Sequence, residues 1–283
     1  MTFLRSWLFC PSNHPRRMTK ALASEADVSV LDLEDACPEA EKDAARGLAR
    51  EALDGPRRGL AYVRINGVAS GRSEADLQAV VGMGLDGVML PKAERAEDLQ
   101  VMDLLMRRLE VRRGLPPGGI DLVPMVETAI GLDQLRSFSV CPRVRRLAFG
   151  SVDFALDLSL QPGPDELELL PFRAALTLGS RLAGLEAPID APAMAVDAPE
   201  QAATAAQRSR ALGFQGKLCI HPSQVPPVNA AFSPTQAELA RAARIVQAFE
   251  AAEAGGSAAI SVDGELVDYP VFRRAKKLVG AGG

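Results

Sequence analysis

Eight short, β-rich apolar runs recur along this chain, each followed by a segment of helical period. They read SWLFCPS, VSVLDLED, AYVRIN, GVMLPK, LVPMVET, RLAFGSVD, APIDAPAM and KLCIHPS. Near-continuous apolar strands belong in a parallel sheet whose faces are covered by helices. Eight such units in 283 residues lead to the α/β class and a (β/α)8 TIM barrel. An open doubly wound sheet is the competing arrangement. No GxGxxG follows the first run, which counts against its dinucleotide-binding form.

The helices carry their own signals. Leu99, Met102, Leu105, Met106 and Leu109 form one apolar stripe. Asp197 with Glu200, and Ser233 with Gln236, have capping-box spacing, and Pro234 suits a first helical position. The last barrel helix is expected from Pro234 to Ala254, ended by AGGS. The barrel domain therefore takes residues 1–255, and 256–283 form a small C-terminal appendage with a DG turn and a short helix. Leu160–Pro171 (LQPGPDELELLP) reads as a long loop that could cover an active site. Pro124 falls inside a central strand, where it removes a ladder donor, so a local irregularity is expected there.

Composition excludes several classes of function. The chain is 47% hydrophobic and 24% charged, ordinary for a globular protein with a large core. With a net charge of −4 it has no basic field for nucleic acid or an acidic membrane surface. An anionic ligand must be held by a local cluster of Arg and Lys. Cys10, Cys37, Cys141 and Cys219 are scattered without CxxC spacing, as expected of core thiols in a reduced compartment. The first apolar run is too short for a signal peptide, and no stretch reaches the ~18 apolar residues of a membrane span. A cytoplasmic protein is expected.

In a (β/α)8 barrel the active site lies at the C-terminal strand ends. Here those ends supply Ser12 and Asn13, then Asp32, Glu34 and Asp35, then Arg64 and Asn66, then Lys92, Glu127, Asp153, Asp190 and His221. Buried charges are costly unless paired or metal-bound, so chance explains this pattern poorly. Glu127 and Asp153 end adjacent strands and suit one hard cation such as Mg2+, with water and substrate completing the shell. Two ordinary salt bridges are the competing account. Two histidines and no ligand spacing argue against zinc. Arg64 either grips a carboxylate or an enolate oxygen, or pairs structurally with Glu34 or Asp35. Lys92 fits a salt bridge better than a Schiff base, and His221 a loop cap better than a base. Arg16, Arg17 and Lys20 open a helix and suit phosphates, or else form a solvated face.

The motifs RSWLFCPSNHPRRMTKAL, LDLEDACPEAEKDAAR, VRING, GVMLPKAE, VETAIGL, FGSVDFALDL, GFQGKLCIHPSQV, VNAAFSP and DGELVDYPVFRRAKKL, in this order, resemble the citrate lyase β-subunit-like proteins. That group lies in the HpcH/HpaI aldolase superfamily with the malyl-CoA and citramalyl-CoA lyases. Each motif alone is modest; together they span nearly the whole chain.

The resemblance implies a trimeric or hexameric barrel enzyme, with Mg2+ (or Mn2+) and a thioester substrate. It casts Glu127 and Asp153 as metal ligands and Arg64 as the substrate-binding arginine. Glu34 and Asp35 become groups around metal waters, and Arg16, Arg17 and Lys20 the grip on coenzyme A. Asp268 matches a tail aspartate that acts as acid–base in a neighbouring subunit's site. Two departures are GSVD where relatives often read GAED, and DLS for DLG. The implied reaction is Claisen-type cleavage or condensation between a 3-hydroxyacyl thioester, an acetyl thioester and a 2-oxo acid. A citrate lyase β-subunit working on an acyl carrier protein, and a catalytically silent subunit, are the alternatives. Thioester hydrolysis is a side or second activity that such a site could also carry.

Overall fold

The computed structural model describes residues 4–281. The first compact unit, residues 4–232, is built on eight parallel strands closed into a barrel. These are β1 (Ser6–Pro11), β2 (Val28–Asp32), β3 (Leu60–Arg64), β4 (Gly87–Leu90), β5 (Asp121–Val126), β6 (Ala148–Phe149), β7 (Ile189–Asp190) and β8 (Gly216–Cys219). Pairing of Ser6 with Lys217 and Trp7 with Leu218 closes β8 onto β1. All eight apolar runs thus become strands, and the expected (β/α)8 barrel is what forms. Its helices are α1 (Pro15–Leu22), α2 (Lys42–Leu53), α3 (Ser73–Val80), α4 (Ala96–Arg112), α5 (Ala129–Asp133), α6 (Ser151–Asp157), α7 (Leu170–Leu182), α8 (Pro199–Ala211) and α9 (Val225–Phe232).

Period-two alternation sorts each strand's side chains into two layers. Trp7, Val28, Val30, Tyr62, Met89, Val123, Met125, Ile189 and Leu218 fill the barrel interior, where Trp7 meets Tyr62 edge-on at 4.9 Å. Their neighbours, such as Leu31, Val63, Val88, Leu122 and Cys219, face the helices with Leu99, Met102 and Met106 of α4. All four cysteines are buried free thiols. No described helix is long and apolar enough to cross a membrane.

Several local expectations are corrected. β5 runs unbroken through Pro124, which pairs with Leu90. The N–H of Leu122 donates to Arg143 and the carbonyl of Val126 accepts from Gly150, both on the β6 side, so alternation puts Pro124 there too. The β6 ladder begins only at Met125, so little is lost by the missing donor. Asp197 does not cap α8: the residue before Pro199 is Ala198, and no side chain caps that end. The last five residues of the expected 160–171 loop are helical, because a 3-10 turn (Leu167–Leu169) leads directly into α7.

The second unit, residues 233–281, begins earlier than the boundary at 256 expected from sequence. Helix α10 (Gln236–Ala254) belongs to it, not to the barrel unit, because its apolar face is covered by the tail. Phe249 of α10 stacks on Phe272 at 4.6 Å and meets Tyr269 edge-on at 5.2 Å. The cap of α10 is Thr235 with Glu238, a reciprocal capping box two residues beyond the Ser233–Gln236 pair. The hairpin of β9 (Ile260–Val262) and β10 (Glu265–Val267) turns at Asp263 and Gly264, both with positive φ. That is the backbone a two-residue DG hairpin requires. Helix α11 (Tyr269–Ala281) closes the unit.

Candidate active site

Adjacent strands in register bring the first charges together. Asp32 ends β2 directly opposite Arg64 at the end of β3. Arg64 Nε and Nη2 donate to the two oxygens of Asp32 at 2.8 and 2.6 Å, a two-pronged bond. Its Nη1 lies 2.8 Å from Glu34 Oε2, and its guanidinium stands 5.1 Å from the Phe9 ring centre. Asp35, mostly exposed, is only within 3.9 Å of Arg64. Asp32 also accepts from the Glu34 and Ala36 backbone N–H groups, so it shapes the turn that carries both acids. Lys42 of α2 ties the same turn by donating to the Leu33 and Glu34 carbonyls.

Glu127 follows β5 and is 1% exposed. Its neighbour Thr128 caps α5, accepting from Gly131 N–H, which fixes the chain as it leaves the strand. The Lys92 N–H donates to Glu127 Oε2 at 2.6 Å. On the other side stands Gly150, where a Cβ would lie 2.3 Å from Glu127 Oε1. A glycine is therefore the only residue there that leaves the carboxylate its place. Asp153 is not at a strand end as the sequence suggested. β6 is only two residues long, and Asp153 sits in the first turn of α6, where the helix dipole favours a carboxylate.

Lys92 connects these groups. It has φ +50°, in the left-handed region a non-glycine residue seldom adopts. Its Nζ is 2.6 Å from Glu34 Oε1, 3.7 Å from Asp153 Oδ1 and 3.9 Å from Asp35 Oδ2. The salt-bridge reading of Lys92 is thus the observed one. Arg64, Lys92, Glu34, Asp35, Glu127 and Asp153 form one cluster of charges at the C-terminal mouth.

The electrostatics follow from crowding acids in a dry place. Burial pushes the Glu127 carboxyl up to about 7; Arg64 opposes this and Glu34 adds to it. Burial also raises Glu34, against the pull of Arg64 and Lys92. Arg64 and Lys92 are both held more firmly protonated by these acids, although burial alone would act the other way. Glu127 and Asp153 supply hard oxygen donors. No group of three His, Cys, Asp or Glu side chains arranged for a metal occurs among the described residues. Two protein carboxylates, with other positions left to water and substrate, suit Mg2+ better than a full protein cage.

The other sequence candidates make other contacts or are exposed. Asp190 alternates out of the barrel and is buried against the helices, bonded to Arg173 (2.9 Å), Lys217 (2.8 Å) and Ser209 (2.5 Å). Burial would raise its carboxyl, but Lys217 and Arg173 hold it down at about 2. Asn66 is spent on Lys42 and Asp76. His221 is exposed and caps the turn after β8, accepting from Ser223 N–H. Arg16, Arg17 and Lys20 are exposed along α1. Asp268, in the second unit, caps α11 by accepting from Val271 N–H at 3.3 Å. Val267 and Phe272 are buried within their own unit.

Sequence reasoning missed the parts played by Asp32 and Gly150. Asp32 could have been found from its period with Val28 and Val30, which places it on the inner face beside Glu34. Gly150 carried no signal, because its role is the space it leaves for a residue 23 positions earlier in the chain.

A family model described as HpcH/HpaI aldolase/citrate lyase matches residues 5–222. A citrate lyase subunit beta-like protein of Deinococcus radiodurans is 36% identical, covering 98% of this chain and 96% of that protein. A (3S)-malyl-CoA thioesterase of Cereibacter sphaeroides is 33% identical over 93% of this chain and 89% of its own. Among solved structures, CitE of Mycobacterium tuberculosis in complex with magnesium, acetoacetate and coenzyme A superposes with TM-score 0.80 and 30% identity. That match covers 99% of this chain and 98% of the other.

Proposed function

Because the chain belongs to the HpcH/HpaI aldolase/citrate lyase family, a family of carbon–carbon lyases, we propose that it cleaves or forms a 3-hydroxyacyl thioester by Claisen chemistry. The products of cleavage are an acetyl thioester and a 2-oxo acid. The observation that carries this reading is the buried Glu127 beside Asp153, facing Arg64 across a mouth rich in acids. Such a site fits a divalent cation, and solved relatives are described as complexes with magnesium and coenzyme A or oxaloacetate.

Glu127 and Asp153 would hold the magnesium, which when bound supplies Lewis acidity to the carbonyl oxygen of the 2-oxo acid. Arg64 works on the other fragment. Breaking the C–C bond leaves the electron pair on the thioester as an enolate, the costly species. Arg64 has five N–H donors, of which three point to Asp32 and Glu34. Its remaining donors stabilise the developing oxyanion, and Asp32 keeps the guanidinium from turning. In cleavage the 3-hydroxyl gives its proton to Asp268 of a neighbouring subunit, which delivers it to the enolate carbon; in condensation Asp268 takes the α-proton and returns it to the new alkoxide. Arg16, Arg17 and Lys20 hold the phosphates of coenzyme A as a uniform binding contribution. Glu34 and Asp35 order water around the cation. A trimer or hexamer supplies the neighbouring tail.

A second reading has its own support, since relatives named citrate lyase subunit beta are 32–33% identical over nearly the whole chain. In that reading the thioester is carried by an acyl carrier protein. One experiment serves both. Malyl-CoA, citramalyl-CoA, citryl-CoA and a citryl thioester of an acyl carrier protein are each incubated with Mg2+, and the acetyl thioester and the free thiol carrier are followed separately. Release of acetyl-CoA, lost in excess chelator and in Glu127→Gln or Asp153→Asn, is expected with at least one substrate. Cleavage that survives chelator or either substitution overturns the site. Activity only with the carrier-bound thioester favours the second reading, and free CoA without acetyl-CoA identifies hydrolysis.

A further inference from the structure

The proposed cation site contains a charge that its ligands do not account for. Lys92 sits between the acids and touches the cluster by two independent routes. Its backbone N–H holds Glu127 Oε2 at 2.6 Å, while its Nζ holds Glu34 at 2.6 Å and reaches Asp153 at 3.7 Å. The left-handed backbone (φ +50°) lets one residue do both, at a conformational cost that its surroundings must overcome. The lysine is not sealed in; its side chain is 43% exposed, so the ammonium has room to swing. By contrast Arg64 is 11% exposed and locked by Asp32.

We propose that Lys92 is a positioning residue and a resident counter-cation for the acid cluster. Its N–H aims Glu127, leaving Oε1 for a ligand, and its ammonium occupies the space between Glu34 and Asp153 that a divalent cation must share. This inference rests on the metal-site reading above. Its consequence is that Lys92 weakens cation binding while preparing the geometry for it. Neutralising the side chain should therefore tighten the binding of a divalent cation. Damage to a site loosens binding, so tightening is a signature that a merely structural lysine does not produce.

The test is calorimetric titration of Mn2+ into the full-length protein without substrate. Lys92→Met keeps the aliphatic stem and removes the charge. Its dissociation constant for Mn2+ should fall by about tenfold, the scale expected for removing one unit charge beside a dication at solvent-like dielectric. Lys92→Arg should bring it back to within about threefold of the wild type, because it restores the charge. If Lys92→Met does not fold, Lys92→Asn makes the same comparison, since asparagine accepts a left-handed backbone. Unchanged or weaker Mn2+ binding in the neutral variant, with normal binding in the wild type, overturns the role of Lys92 alone. Failure of the wild type to bind Mn2+ overturns the metal site and this inference together.

Discussion

At the scale of single residues, the site works by restricting what each carboxylate can do. Glu127 is pinned from one side by the Lys92 N–H and limited on the other by the missing side chain of Gly150. That pairing leads to a direct prediction. Gly150→Ala places a methyl group 2.3 Å from Oε1, so the carboxylate must move. Misplacing a reacting group by about 1 Å costs on the order of 10²-fold in rate, and a loss of that size is expected in the cleavage assay. Far-UV circular dichroism should stay as in the wild type. Near-normal turnover in Gly150→Ala would mean that Glu127 does not need this position.

At the scale of elements, the barrel separates binding from rigidity. Strands and their first following turns carry the charges of the mouth, whereas the Asp190 network ties β7 to α7, α8 and β8 behind them. Removing Asp190 as Asp190→Asn leaves Lys217 and Arg173 buried and short of a partner. Breaking such a buried pair costs about 3–5 kcal/mol, to be read from urea unfolding. The pH sign follows from the depressed carboxyl: folded Asp190 titrates near 2, below its unfolded value. Its contribution is present above the unfolded carboxylate range and is lost as pH falls toward 2. The wild type should therefore lose more stability on acidification than Asp190→Asn, which keeps the other carboxylates but not this one. Helix α1 is proposed to have a different task. Arg16→Ala with Arg17→Ala should raise KM for a CoA thioester while kcat changes little, because phosphate contacts far from the chemistry bind substrate and transition state alike. An unchanged KM would make the basic face of α1 a solvated surface.

At the scale of the whole molecule, the chain divides its proposed chemistry between two compact units. The barrel unit holds the acids, Lys92 and Arg64; the unit from Ser233 onward holds Asp268. In its own unit Asp268 caps α11, a role that Asp268→Asn preserves, since asparagine caps as well as aspartate. That variant should keep Mn2+ binding and thermal stability yet lose about 10²–10⁴-fold in cleavage, the usual worth of a positioned proton donor. Mixed oligomers sharpen the test. Chains carrying Asp268→Asn combined with chains carrying Arg64→Ala can assemble one intact site from two damaged partners. No recovered activity, after subunit exchange has been verified, would remove Asp268 from a shared site.

By itself the sequence determined the closed eight-stranded architecture, because eight apolar runs of strand length admit few other buried arrangements. It also showed which residues terminate the strands, and so most of the acids and cations of the mouth. Alternation along a strand is local, so it is enough to place Asp32 inward and Asp190 outward, although each reads in the sequence analysis only as a strand end. The tertiary structure alone decided how those charges are shared. Arg64 goes to Asp32 because β2 and β3 pair in that register, a long-range choice invisible to either segment. Asp153 reaches the mouth from a helix, because β6 stops after two residues. Helix α10 leaves the barrel unit because its apolar face finds Phe272 and Val267, a partnership that no period within α10 encodes. Local pattern fixes which face a side chain takes; only closure of the chain on itself fixes which other side chain it meets there.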